Sequence, residues 1–256
     1  MGKPTVSVVM PTHNDAKYLK RAIESVLSQS FRDWELLVVD DGSTDETPSL
    51  LEHYSNEDPR IKTFRIDPAS GSPTKPRNIA TEQATGRYIA FLDSDDLWLP
   101  TKLESQIAVF EKNKDAAIVF SYYNTISQDG SMISSPISSP AVVNYHSLLK
   151  GNVIGCLTAI YDTEKLGKRY FPYCGHEDYV VWLSILKEGW KAYNTNTAEA
   201  MYQEKGTSVS SNKFKTMQWQ WNIYRNVEGI GVFKSAYYFI HYACKALNKH
   251  RSMLKL

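Results

Sequence analysis

Apolar positions in the first hundred residues switch between two periods. Val6-Ser7-Val8-Val9-Met10 is a short, largely β-branched run closed by Pro11, the pattern of a strand buried on both faces. Leu19, Ile23, Val26 and Leu27 then recur three and four residues apart, which predicts an amphipathic helix after a cap at Asn14. Trp34 to Val39 predicts a second buried strand. Ser43-Thr44-Asp45-Glu46 reads as a capping box opening a helix through Tyr54. Ile61–Ile66 predicts a third strand, Asn78–Ala84 a short helix, and Arg87–Leu92 a fourth strand that ends in acids. Strands alternating with helices predict βαβ units, hence an α/β fold with a mostly parallel sheet flanked by helices.

Beyond Asp96 the pattern loosens. A helix from Pro100 to about Asn113 precedes a strand at Ala117–Tyr122, and residues 123–144, rich in Ser, Pro, Asn and Gly, predict a loop or flap. Glu177–Glu188 predicts a helix with Val181, Leu183, Ile185 and Leu186 on its apolar side, and two more helices follow at 212–226 and 231–249. The division this implies is a main domain over 1–210 and a C-terminal helical extension over 211–256.

A chain of 256 residues suits one large domain with a small appendage. Its 42% hydrophobic and 22% charged content excludes a disordered or fibrous protein. Lysine and arginine (29) nearly balance aspartate and glutamate (28), so the whole is no basic nucleic-acid binder. The balance hides an asymmetry. Residues 213–256 carry eight Lys or Arg against Glu228 alone, a net +7 that leaves −6 for residues 1–212 of a chain totalling +1. Within that segment Tyr237, Tyr238, Phe239 and Tyr242 interleave with cations. Residues 231–256 therefore read either as an interfacial membrane helix or as a last helix packed on the core. Cys156, Cys174 and Cys244 show no CxxC spacing, which excludes a disulfide framework or zinc site and suits a reducing compartment. The short apolar stretch at the start predicts no secretory signal, and no apolar run is long enough to span a bilayer. The expected location is the cytoplasm, with peripheral contact on the inner face of the cell membrane.

Three predicted strands end in polar clusters: Pro11-Thr12-His13-Asn14, Asp40-Asp41-Gly42-Ser43 and Asp93-Ser94-Asp95-Asp96. In open α/β sheets ligands bind at the carboxyl ends of the strands, so these clusters should meet in one pocket. Carboxylates at the end of the fourth strand suit Mg²⁺ or Mn²⁺, held by one or two acids plus phosphate oxygens. Asp95 or Asp96 equally suits the cap of the next helix. Asp41 is a candidate binding residue, because a buried strand should not end in two acids without partners. Neither GxGxxG nor GxxxxGK[ST] occurs, which excludes the dinucleotide and P-loop sites those motifs build.

In this order, Val6 to Asn14, Val38 to Asp45 and Phe91 to Asp96 resemble the signatures of family 2 glycosyltransferases of the GT-A fold. Pro76-Arg77-Asn78 resembles the family's Arg-Asn step, and Glu177-Asp178 with Trp182-Leu183 its late acidic motif. The resemblance covers roughly residues 4–210. Ser210-Ser211-Asn212-Lys213 with Trp219-Gln220-Trp221 is similar to bacterial members that build capsule, lipopolysaccharide or teichuronic-acid chains. The resemblance implies an inverting transfer from a nucleotide sugar, a UDP-sugar, to a hydroxyl of a glycan or lipid-linked acceptor.

By the same resemblance Pro11, Thr12 and His13 would line the nucleotide site, with Asp41 on uracil or its ribose. Lys75 and Arg77 would face the base or diphosphate. Asp95 would bind Mn²⁺ or Mg²⁺, with Asp93 on the ribose or a metal-bound water. Asp178 would be the general base for the acceptor hydroxyl. Read without the family, Glu177 and Asp178 equally suit first-turn acids complementing a helix dipole. His176 suits a surface or capping residue. Many members carry a histidine before the late Ser-Xaa-Ser segment. Here Lys205 stands near that place, able to pair with diphosphate as a point charge but not, while protonated, to ligate metal. Two other readings compete. A sugar nucleotidyltransferase would need a glycine-rich N-terminal loop, and Met10–Ala16 has no glycine. A catalytically silent binding module is opposed by the full set of Asp41, Asp93, Asp95 and Asp178.

Overall fold

The computed structural model describes residues 2–127, 131–132, 136–204 and 213–253, with 246–253 as backbone only. Its first half is a βα alternation. β1 (Val6–Thr12) leads to α1 (Ala16–Leu27), β2 (Trp34–Asp40), α2 (Thr47–Glu57), β3 (Ile61–Arg65), α3 (Thr74–Gln83) and β4 (Tyr88–Phe91). β3, β2, β1 and β4 lie side by side, all parallel. Every residue of β1, β2 and β4 is buried, as expected of parallel strands covered on both faces.

Successive side chains serve opposite faces of the sheet. Val8, Met10, Leu36, Val38 and Ala90 pack with Leu19, Ile23 and Val26 of α1 and Leu51 of α2. Val9, Leu37, Val39, Ile89 and Phe91 pack against the other helical layer, which includes Ala80 of α3. The turn into β4 needs its glycine. A Cβ on Gly86 would come within 2.7 Å of the Ser7 backbone nitrogen, so the loop crosses β1 closer than any side chain permits.

The second half mixes directions. β5 (Leu97–Trp98) and α4 (Lys102–Lys112) precede β6 (Ala116–Ile126), then β7 (Val142–Val143), α5 (Tyr145–Leu148), β8 (Ile160–Asp162), α6 (Thr163–Leu166), α7 (Glu177–Lys187) and β9 (Lys191–Gln203). β8 joins β4 to β6 antiparallel, β6 pairs β9 in parallel, and β5 and β7 add to β9 antiparallel. The sheet is therefore parallel up to β4 and mixed beyond it. α7 covers one face through Tyr179, Val181, Trp182, Leu183, Ile185 and Leu186, together with Ile223 and Tyr224. α8 (Lys213–Asn222) runs into a π-helical turn (Ile223–Val227) and α9 (Val232–Met253).

Several local expectations are corrected. The Ser43–Glu46 capping box does not form: α2 begins at Thr47 with Glu46 at its cap and no side-chain cap bond. α3 starts at Thr74, because Pro76 sits in its first turn, where the missing N–H costs nothing. β6 runs to Ile126 rather than Tyr122, its polar end paired with Ala198–Gln203 of β9. Residues 123–126 and 142–143 are thus strand, not loop. Neither Asp95 nor Asp96 caps α4, whose cap is Thr101. The expected domain boundary at 210 lies outside the described residues.

Candidate functional site

The carboxyl ends of β1, β2 and β4 open into one cavity of about 900 Å³, walled on its far side by residues 173–178, Tyr202, Gln203 and Trp219. Each polar cluster is fixed by bonds the other loops supply. Asn14 adopts a left-handed conformation (φ 51°), tolerated because its short amide bonds locally. Its N–H donates to Ser43 Oγ (2.8 Å), and its Oδ1 accepts from Thr44 N (2.8 Å). His13 Nδ1 donates to the Asp41 carbonyl (2.7 Å), and Asn14 Nδ2 donates to His13 Nε2 (3.0 Å). The ring is thereby held in one tautomer at the pocket wall.

The adjacent acids at the end of β2 both find partners within the protein. Asp40 pairs with Arg65 and accepts from Ser43 N. Asp41 accepts from Ser70 N (2.8 Å), Ser70 Oγ (2.9 Å) and Gly71 N (3.1 Å). Burial alone is thus satisfied without a ligand, although Asp41 still lines the cavity. Pro11, Thr12 and His13 line it as well. Thr12 Oγ1 is buried with no hydrogen-bond partner.

After β4 the four-residue acidic turn divides its labour. Asp96 is buried and accepts from Gln203 N (2.8 Å), tying the turn to β9. Asp93 accepts from Arg77 Nη2 (2.6 Å). Asp95, partly buried, lines the cavity between them. Tyr202 packs beside this turn. Burial, then the charges of Asp96, Asp95 and Asp93, push its phenol up to about 12, so it stays neutral.

Arg77 links the two halves of the site. Its guanidinium, 5% exposed, bonds Asp93 on one side and Glu177 Oε1 (2.9 Å) on the other. Both carboxylates hold it protonated against its burial. Lys75, by contrast, is exposed on the first turn of α3 and is not among the cavity's walls. Lys205 lies outside the described residues.

The acidic pair of α7 also separates into two roles. Glu177 binds Arg77, whereas Asp178 accepts from Asn152 Nδ2 (3.1 Å). Burial first, and the charge of Glu177 second, push the Asp178 carboxyl up to about 6, against the pull of the Tyr179 N–H, Arg77 and Asn152. A carboxylate so placed is a competent base near neutral pH. His176 precedes it in the left-handed region (φ 58°) with no side-chain cap bond. Its Nε2 is buried without a partner, and burial depresses its pKa. Sequence reasoning missed Asn152, which bonds Asp178 from outside the cavity wall, and the places of Tyr202 and Trp219, which reach the cavity from distant segments.

Seven carboxylates line the cavity: Asp15, Asp41, Asp93, Asp95, Asp96, Glu177 and Asp178. Among the described residues the only arginine or lysine in its wall is Arg77, already paired twice. An anionic ligand would meet net repulsion here unless a cation entered with it. The donor set is hard carboxylate oxygen. Among the described residues no three His, Cys, Asp or Glu gather as a complete metal cage. That arrangement fits Mg²⁺ or Mn²⁺ held by one or two carboxylates and completed by ligand oxygens and water.

Comparison with known proteins follows the same lines. The model of the family described as glycosyl transferase family 2 matches residues 7–156. The chain is 40% identical over 248 residues to the Bacillus subtilis protein named as teichuronic acid biosynthesis glycosyltransferase TuaG, covering 96% of this chain and 98% of that protein. It is 39% identical over 247 residues to an Escherichia coli UDP-Glc:alpha-D-GlcNAc-diphosphoundecaprenol beta-1,3-glucosyltransferase, covering 96% and 94%. Among solved structures, S. aureus TarS 1-349 in complex with UDP-GlcNAc superposes with a TM-score of 0.70 at 24% identity, over 97% of this chain and 73% of that one. A Pyrobaculum calidifontis mannosyltransferase in complex with GDP-Man and Mn²⁺ gives 0.64 at 18% identity, over 90% and 66%. At these identities the two structures speak to the fold, which is GT-A.

Proposed function

The chain belongs to glycosyl transferase family 2, and from that premise we propose that it moves a sugar from a UDP-sugar to a hydroxyl of a lipid-linked saccharide, with inversion, during bacterial surface-glycan synthesis. The observation that carries this reading is a single cavity holding both the acidic strand end, with Asp93 and Asp95, and Asp178, whose carboxyl sits at about 6. The donor's diphosphate would lie at the acidic turn, with Pro11, Thr12, His13 and Asp41 around the nucleoside. Asp95, seconded by Asp93, would hold Mn²⁺ or Mg²⁺, which when bound neutralises charge on the departing diphosphate. Asp178 would take the proton from the acceptor hydroxyl as it attacks the anomeric carbon from the face opposite the leaving group. Arg77 acts here as a positioning residue, because its bonds to Asp93 and Glu177 set the acid turn against the start of α7. The test is incubation with UDP-glucose, UDP-N-acetylglucosamine and GDP-mannose, Mn²⁺, and a synthetic α-N-acetylglucosaminyl diphosphate on a short alkyl chain. A product one sugar heavier, formed from a UDP-sugar with inverted anomeric coupling by NMR, is expected. A retained anomeric centre or transfer from GDP-mannose alone would overturn the reading.

The reading extends to the membrane. Among the described residues no helix is long and apolar enough to cross a bilayer. The C-terminal helices nonetheless divide into two sides. Tyr238 packs on Tyr224, and Phe239 on Trp221 (ring centroids 6.0 and 5.6 Å). On the other side Phe233 is 93% exposed, and Val232, Tyr237 and Ile240 are exposed too. Glu228, the one acid after residue 212, is buried against Tyr145 and Lys187. These exposed apolar groups stand beside Lys234 in a helix whose sequence contains no acid, which suits an interfacial seat on anionic lipid.

A further inference from the structure

We propose that Trp219 is the platform on which the sugar ring of the acceptor lies, so that the helices after the sheet domain, rather than the sheet itself, select the acceptor. This rests on the glycosyltransferase reading above. Trp219 stands on α8, well outside the 7–156 segment that the family model matches, yet it walls the same cavity as Asp178. Its indole is seated on the backbone that leads into α7. A Cβ built on Gly175 would fall 1.9 Å from Cδ2 of the indole and 2.3 Å from both Cγ and Cε2. Near-equal distances to an atom's bonded neighbours describe a point above the ring plane, so one indole face rests directly on Gly175. Any other residue at 175 would displace it. The His176 ring meets the indole edge-on, with centroids 5.5 Å apart, and fixes its tilt.

The position bears on the reaction because Gly175 lies three residues before Asp178. The chain between them can span at most about 10 Å. A hexose ring resting against the indole could thus present a hydroxyl to the Asp178 carboxylate. Aromatic rings suit this task. One face of a pyranose is made of C–H bonds whose positive ends meet the negative π cloud, while its hydroxyls point outward to polar groups. Tyr173, 71% exposed where residues 173–178 border the cavity, adds a second aromatic surface at the same wall. The ligand class assigned to this subsite is a neutral pyranose at the end of a saccharide acceptor, not the nucleotide, whose partners lie at the strand ends.

Saturation-transfer NMR tests the contact without requiring turnover. The probe is α-N-acetylglucosaminyl diphosphate on a short alkyl chain, in the presence of UDP, with wild type, Trp219→Phe and Trp219→Ala. Sugar-ring protons should receive saturation in wild type and in Trp219→Phe, and lose it in Trp219→Ala. UDP affinity and melting temperature should stay unchanged across all three. Kinetically, Trp219→Ala should raise the acceptor KM at least about tenfold, about 1.4 kcal/mol, with kcat within about threefold and Phe restoring most of the loss. Persistence of the sugar signals in Trp219→Ala would overturn the proposal. So would their loss together with UDP affinity and melting temperature, which would mark a structural role. A wild type that shows the sugar contact but transfers from no nucleotide sugar would strike the glycosyltransferase reading and leave the platform standing.

Discussion

Acidification should switch transfer off through Asp178, at a pH set by its surroundings rather than by its chemistry. The carboxyl is pushed up from 3.8 to about 6 by burial and by Glu177. If only the carboxylate takes the acceptor proton, the rate follows its ionised fraction: about nine-tenths of the plateau at pH 7 and about one-tenth at pH 5. Two variants should move this limb in opposite directions. Asn152→Ala removes a hydrogen bond to the charged form and should carry the limb to higher pH. Glu177→Gln removes a neighbouring negative charge and should carry it lower. Asp178→Asn should abolish the limb and cost about 10²–10⁴-fold in rate, with UDP affinity kept. Stability provides an independent check of sign. Between pH 3.8 and about 6 the folded state holds a proton that the unfolded chain has released, so stability falls as pH rises through that window. Asp178→Asn should therefore melt no lower than wild type at pH 7. The assay is the initial rate of transfer from a UDP-sugar between pH 4.5 and 8, with UDP affinity measured at each pH to separate donor-site ionisations. A limb that neither variant moves, or an Asp178→Asn enzyme retaining most of its turnover, would refute the reasoning.

Arg77→Met should leave Asp93 and Glu177 facing each other without their shared cation. A loss of about 3 kcal/mol is expected in chemical denaturation, the low end of the range because Asp93 is 32% exposed, together with weaker UDP binding. Unchanged stability would show that the bridge is dispensable. Lys102 is fully buried over the Trp98 ring and against Gln106, and burial pushes its ammonium down to about 7. Between about pH 7 and 10.5 the unfolded chain holds the proton the folded state has shed, so stability rises with pH there. Lys102→Met should raise the melting temperature at pH 7 and by less at pH 10, and a fall at both would contradict the sign. The full-length protein should co-sediment with anionic but not neutral vesicles, more weakly as salt rises, and Phe233→Ser with Ile240→Ser should weaken it further. Equal sedimentation with both vesicle types would remove the electrostatic part of the membrane reading.

β1, β2 and β4 were legible because each is a short apolar run, buried on both faces and closed by a polar cluster. Their convergence on one pocket follows from parallel topology alone. β9 was not legible. Lys191–Gln203 interleaves Asn, Thr, Ala and Glu, and its register against β6 shifts three times, so no period of two survives. β8, only three residues long, has no pattern to read. The site divides the same way. Asp95 and Asp178 stand in recognisable motifs. Arg77's bond to Glu177, a hundred residues away, and the seat of Trp219 on Gly175 are tertiary facts without a local signature. The Asp40–Asp41 pair shows the converse: burial argued for a ligand, and Arg65 and Ser70 supplied the partners instead.

The claim at the centre of this account is that the acidic strand end binds a nucleoside diphosphate together with a divalent cation. Calorimetric titration of UDP into wild type and Asp95→Ala, each with and without Mn²⁺, tests it most directly. UDP should bind most tightly to wild type with Mn²⁺, and at least about tenfold more weakly after the substitution or after chelation. Equal UDP affinities under all four conditions would contradict it.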